Sequence, residues 1–262
     1  MTDSGRSADL PRRTFLAGAL GAAVAACTPS PHAPTPTASG TTTTPTGSPT
    51  GAPPTPTASV SATATPTPTS TPAGIADLAG SLGGPVVLPG SSGYAAAARL
   101  FNPRFDGAHP VAIAYCTSAD DVRRCVDAAR TSGVTPIPRS GGHSYAGYST
   151  GAGLVIDVTG VKAITLGGSE VTVGGGARII DVYDALGPHS RGIPAGSCPT
   201  VGVAGLTLGG GLGIEARQYG LTADHLVAVD VVLASGDLVT ATPADHADLY
   251  WACRGGGGGN FG

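Results

Sequence analysis

From residue 28 to residue 73 the chain is almost entirely Pro, Thr, Ser, Ala and Gly, running from "TPSPHAPTPTASGTTTT" to "PTPTSTPA". A segment of that composition cannot bury enough apolar surface to offset the entropy of ordering it. It reads as a disordered, partly polyproline-like tether that reaches on the order of 100 Å at about 3.1 Å per residue. Of the 262 residues, about 190 are left to fold, enough for a real core.

Residues 1–27 read as an export signal. "PRRTFLAGALGAAVAAC" sets Arg12-Arg13 before Phe15-Leu16 and an apolar run of small residues, which is too short to span a bilayer. Twin arginines followed by Phe-Leu resemble a Tat signal. Val24-Ala25-Ala26-Cys27 resembles a lipobox, with Cys27 as the lipidated residue. The chain is therefore expected to meet the Tat export machinery. It is then secreted or anchored outside the cytoplasm by lipid, with the tether lifting the folded part off the membrane.

The net charge is only −3 and the single lysine is Lys162. That leaves no basic stripe, which excludes nucleic acid as a partner. Beyond Cys27 the cysteines are Cys116, Cys125, Cys198 and Cys253, and none forms a C-x-x-C pair, so no metal site is expected. Cys116 ends an apolar run and Cys125 sits on a helix face, so both read as buried thiols. Export permits disulfides, but spacing alone names no pair.

The folded part, residues 74–262, mixes strands and helices. A short helix near residue 74, a turn around "PVVLPG" and a helix from Tyr94 come first. "PVAIAYC" and "VTPIPR" read as strands around the helix "SADDVRRCVDAARTSG", a β-α-β unit. That helix has Ser118 as N-cap, Val122, Cys125, Val126 and Ala129 as its apolar face, and Gly133 as its stop. Strands "GLVIDV", "AITLGG" and "EVTVGGG" follow, then the helix "ARIIDVYDALG". The glycine-rich "GIPAGSCPTVGVAGLTLGGGLG" comes next, then a hairpin turning at Ser235-Gly236-Asp237. The last element is the helix "ADHADLYWACR", with Tyr250 and Trp251 read as core. His225 and His246 read as solvated element ends.

The chemistry concentrates in two glycine-rich loops. "PRSGGHSYAGYSTGAG" (138–153) follows a strand directly and sets His143 among residues that expose backbone N–H groups. On the loop alone, His143 is a bystander, a ligand or a point of attachment. A P-loop would need G-x-x-x-x-G-K-[ST], and Lys162 has no such context. A dinucleotide fingerprint needs G-x-G-x-x-G, and the run from Gly205 to Gly213 has different spacing. Successive N–H groups still form an anion nest. "RSGGHS" offers one such set, with the charge of Arg139 beside it, and the second loop offers another.

"RSGGHSYAGYS", "GSCPTVGVAGLTLGGGLG", "YGLTADHLVAVDVVLASG" and "DLYWACRGGGGGNFG" occur in that order. Together they resemble the FAD-binding domain of the berberine bridge enzyme-like flavin oxidases, in the vanillyl-alcohol oxidase (PCMH-type) superfamily. The resemblance runs from about residue 76 to 262. It implies an α+β, PCMH-type FAD-binding domain of two α/β subdomains, incomplete at its C-terminus and lacking its substrate domain.

Further implications follow by matching position. His143 is the attachment point to the 8α-methyl of FAD and Cys198 the attachment point to flavin C6. Arg139, Ser140, Gly141 and Gly142 hold the pyrophosphate, with Ser144, Gly147 and Tyr148 lining the same side. Gly196, Ser197, Thr200, Gly202, Val203, Gly205, Gly209, Gly210, Gly211 and Gly213 form the second wall. Tyr145 and Tyr148 are read on their own as packing the loop, with contact to the flavin as the alternative.

The reaction implied is hydride transfer from a C–H next to oxygen or nitrogen to flavin N5, with dioxygen reduced to hydrogen peroxide. The substrate is a sugar, an alcohol or a secondary metabolite. The catalytic base is expected beyond Gly262, and the 262-residue chain alone is not expected to turn over substrate. One alternative is a dehydrogenase of the same fold with a non-oxygen acceptor. The other is a non-catalytic surface lipoprotein with a degenerate flavin fold, against which the intact "SGGH" and "SCPT" motifs argue.

Overall fold

The computed structural model describes residues 71–262. The export signal, Cys27 and nearly all of the Pro/Thr segment lie outside the described residues. The fold begins slightly earlier than the composition suggests. Thr71 Oγ1 donates to Val111 O at 2.9 Å, and the first helix, α1, is Ala73–Ala76.

The stretch read as a turn around "PVVLPG" holds a short strand, β1 (Val86–Val87). Helix α2 (Tyr94–Ala98) precedes β2 (Ala112–Tyr115), α3 (Ala119–Thr131), β3 (Pro136–Arg139) and β4 (Leu154–Asp157). These four strands make one sheet in the order β1-β2-β4-β3. β4 runs parallel to both its neighbours, and β1 pairs antiparallel at one edge.

The β-α-β reading is therefore refined. β2 and β3 are joined by α3 but are not neighbours, because β4 inserts between them. β3 and β4 are parallel neighbours joined by residues 140–153. A parallel pair forces the chain back to the starting end of the sheet, which takes a dozen or more residues. The loop that carries His143 is this return connection. The two prolines of β3, Pro136 and Pro138, lie on an edge strand, where a missing N–H is tolerated.

Strand periodicity sorts the core. Ala112, Ala114, Leu154 and Ile156 point to one face and are buried with Cys125, Val126 and Ala129 of α3 and Ile75 of α1. Ile113, Ile137 and Val155 point to the other and pack against Ala98, Tyr94 and Ala97. Helix α3 has the expected N-cap, with Asp121 N–H donating to Ser118 Oγ. It stops at Gly133, whose φ is +64°. The Asp121 carboxylate does not close a capping box. It accepts from Gly83 N–H, Thr117 N–H and Thr117 Oγ1.

A second core forms around the hairpin β5 (Ile164–Gly167) and β6 (Glu170–Val173) with α4 (Ile179–Leu186). Ile179, Val182, Leu186, Ala195 and Val203 are buried there. The short helices α5 (Val203–Leu208) and α6 (Ala216–Tyr219) follow. Then come the hairpin β7 (Val229–Val232) with β8 (Leu238–Ala241), and α7 (Ala247–Ala252).

In α7, Tyr250 is buried and its hydroxyl donates to Leu226 O, but Trp251 is 78% exposed. Adjacent helical residues point about 100° apart, so both cannot face the core as expected. His225 and His246 are exposed at element ends.

Candidate functional site

The two glycine loops meet. Gly141 and Gly202 are in direct backbone contact, and a Cβ on either would overlap the nitrogen of the other. Ser140 Oγ donates to Gly175 O at 2.7 Å, and a Cβ on Gly202 would also strike that hydroxyl. Gly202 is fixed from behind by an antiparallel bridge to Arg178, at the start of α4. Ile179 N–H donates to Val201 O, and Val203 N–H to Ala177 O.

This contact sets the position of His143. Its Nε2 lies 2.9 Å from Thr200 Oγ1, and its ring stacks on Phe101 with centroids 4.0 Å apart. Burial lowers the pKa of the imidazole, which favours the neutral ring. Nε2 is turned to Thr200, so Nδ1 is the nitrogen left for another partner. Cys198 is exposed two residues before Thr200. Beside it a cleft of about 390 Å³ is lined by Tyr183, Gly196, Ser197 and Ile214, among others. Tyr183 Oη donates to Gly196 O at 2.8 Å.

The N–H groups of Gly141, Gly142, His143 and Ser144 have no acceptor among the described residues. Gly142 has φ +68°, the left-handed conformation on which nests of N–H groups are built. The site therefore fits a bound dinucleotide in its donor set: a row of free N–H groups, an imidazole with one ring nitrogen left over and an exposed thiol.

Other residues behave differently from expectation. Arg139 is only 5% exposed. Its Nε donates to Asp157 Oδ2 at 2.7 Å and its Nη1 to Ala97 O at 2.9 Å. The guanidinium is committed beneath the loop, so Arg139 braces the base of the site rather than presenting a charge at its surface. Asp157 also accepts from Thr159 N–H and Oγ1. Ser144 Oγ accepts from Tyr148 N–H, which closes the turn, and Gly147 has φ +80° against the Phe105 ring.

On the second wall, Gly211 and Gly213 are tight against Thr222 and Ala195. The glycine requirement at both positions is thus met within the protein. Gly205 has open space where a Cβ would stand, and Gly209 caps α5. Gly210 has φ +111°. Tyr145 and Tyr148 are 86% and 61% exposed, so Tyr145 does not pack the loop.

Two contributors escaped the sequence reading. Phe101 is remote in sequence, and no local pattern marks it as the stacking partner of His143. The glycine run after α7 threads between the two loops. Gly257 N–H donates to Leu208 O, and the run brings Gly257 against Gly209, Gly258 against Tyr148 and Gly259 against Pro138. "GGGGGNFG" flagged that run without assigning its residues to the site.

A family model described as "FAD binding domain" matches residues 110–242. The FAD-linked oxidoreductase pynB of Aspergillus niger is 42% identical over 156 residues, covering 58% of this chain and 29% of that protein. The solved structure of wild-type BBE-like 1 from Physcomitrella patens matches with TM-score 0.66 and 37% identity, covering 69% of this chain and 40% of that one. A glucooligosaccharide oxidase from Acremonium strictum, described with a 6-S-cysteinyl, 8α-N1-histidyl FAD, matches with TM-score 0.63 and 33% identity. It covers 66% of this chain and 37% of that one. The chain spans less than half the length of each of these relatives.

Proposed function

The chain belongs to the FAD binding domain family of FAD-linked oxidoreductases, and on that footing we propose that its two facing loops hold FAD through both His143 and Cys198. The observation that carries this reading is the 2.9 Å contact between His143 and Thr200, which brings the Cys198 loop to the histidine. The Acremonium strictum oxidase, described with one cysteinyl and one histidyl link, supports it. So does the ring nitrogen left over in His143, because Nε2 is engaged and Nδ1 is not.

Each residue then has a role. The N–H groups of Gly141 to Ser144 receive the pyrophosphate. Phe101 and Thr200 hold the His143 ring, and Arg139 with Asp157 supports the loop from below. When bound, FAD supplies hydride acceptance at N5 and return of the electrons to dioxygen as hydrogen peroxide. The substrate class is a small molecule with a C–H next to oxygen or nitrogen, such as a sugar, an alcohol or a secondary metabolite.

The proposal includes location. Arg12 and Arg13 direct Tat export and Cys27 takes a lipid, so the flavoprotein works outside the cytoplasm. Two covalent links there keep FAD from dissociating where free FAD is scarce.

The test is peroxide formation by the full-length protein with oligosaccharides, alcohols and cyclic amines, in air and under nitrogen with an artificial electron acceptor. Substrate-dependent peroxide in air supports the reading. Turnover only with the artificial acceptor overturns the oxidase assignment. Fractionation with Cys27→Ala tests the anchor, which is expected to be lost in that variant.

A further inference from the structure

Cys116 and Cys125 are both fully buried, with their sulfurs 3.7 Å apart. Cys116 directly follows β2, and Cys125 lies on the core face of α3. The other described cysteines are elsewhere: Cys198 is exposed on the second loop and Cys253 is buried at the end of α7. We propose that Cys116 and Cys125 form a disulfide that ties β2 to α3.

Spacing alone could not name this pair, but the fold does. The sulfurs face each other across the sheet–helix interface, and a bond needs them to close to about 2.0 Å. The closed loop spans only nine positions, so no distant segment has to move.

The crosslink also bears on the loop that carries His143. Cys116 N–H donates to Asp157 O at 2.8 Å, and the Asp157 carboxylate holds Arg139, the last residue before that loop. A bond at Cys116 therefore stiffens the floor of the site without touching its surface.

The oxidant is a small-molecule or enzyme-borne disulfide. One cysteine thiolate attacks it, forming a mixed disulfide and releasing one thiol. The second cysteine thiolate attacks the protein-side sulfur, forming the Cys116–Cys125 bond and releasing the second thiol. Two protons and two electrons leave the protein and reduce the oxidant to two thiols. The Cys125 contact, with burial behind it, pushes the Cys116 thiol well above its ordinary range. Both sulfurs are closed off from solvent in the folded state, so exchange is slow there and fast when the core opens. The same burial protects the bond once it is made.

The test uses the full chain, purified under reducing conditions and then held in glutathione redox buffer with guanidinium just below the unfolding midpoint. Free thiols are then alkylated under full denaturation and the chain is cut with trypsin. Cleavage after Arg104, Arg123, Arg124 and Arg130 separates the Cys116 peptide, 105–123, from the Cys125 peptide, 125–130. The expected result is one crosslinked species containing both, two hydrogens lighter than their sum.

The crosslinked chain is expected to melt on the order of 5–10 °C higher than the reduced chain. It should resist dithiothreitol until guanidinium is added. Cys125→Ala should abolish both the crosslink and the shift. Both peptides fully alkylated after oxidation, or either joined to Cys198 instead, would overturn the proposal.

Discussion

Gly141 and Gly202 stand back to back, each occupying the space that a side chain on the other would need. This contact joins two loops 61 positions apart and sets His143 against Thr200. Gly141→Ala and Gly202→Ala are each expected to destabilise the chain by about 1–3 kcal/mol through overpacking. Each should also lower the fraction of covalently held flavin, because the loops must separate. Thermal unfolding and flavin-to-protein absorbance ratios measure the two effects. Gly205→Ala is the control for stability, since no protein atom lies within 4 Å of its added Cβ.

The Arg139–Asp157 pair is buried, with both side chains 5% exposed. Removing one partner strands the other charge, at a cost of about 3–5 kcal/mol. Asp157→Asn and Arg139→Met should both show that loss in chemical denaturation. Were Arg139 a phosphate ligand instead, Arg139→Met would lower the fraction of chains that take up flavin at nearly unchanged stability.

His143 should titrate below the ordinary imidazole value of about 6.5, because burial disfavours its cation. The folded pKa is depressed, so the unfolded chain binds more protons as pH falls through 6.5 toward the folded value. The contribution of His143 to stability is complete above pH 6.5 and declines across that window. In flavin-free protein, NMR of the ring should place the midpoint below about 6.5, and Phe101→Ala, which exposes the ring, should move it back up.

Asp121 gives the opposite end of the pH scale. Burial pushes its carboxyl up, but hydrogen bonds from Thr117, Gly83 and Ser118 outweigh this and hold it below its usual range. Its contribution is present above about pH 4 and is lost as pH falls through the lower folded value. Asp121→Ala leaves buried donors unpaired and should cost about 2–3 kcal/mol at pH 7. Below pH 3 the gap between wild type and variant should narrow.

Much of the fold was legible because its signals are local. The continuous apolar runs in "VAIAY" and "LVID", the Ser118 cap and the Gly133 stop each act within a few residues. The insertion of β4 between β2 and β3 was not legible, since register between parallel strands leaves no local mark. The Arg139–Asp157 pairing was not legible for the same reason. A charge beside a glycine loop suggests an anion, and only the sheet reveals Asp157 directly alongside on β4. Trp251 fails on helix geometry, because one short helix cannot bury two adjacent aromatics on a single narrow face.

The two proposed link positions were marked by motif, and the resemblance set them on facing loops. Phe101 and the glycine run reach the site only through the fold. The central claim is that one flavin is held at two points, by His143 and by Cys198. The most direct measurement is acid precipitation of the full-length protein followed by in-gel flavin fluorescence. Wild type is expected to keep its flavin, His143→Ala and Cys198→Ala each to keep it through the remaining link, and the double variant to release it. Complete release of flavin by the wild-type protein would contradict the account.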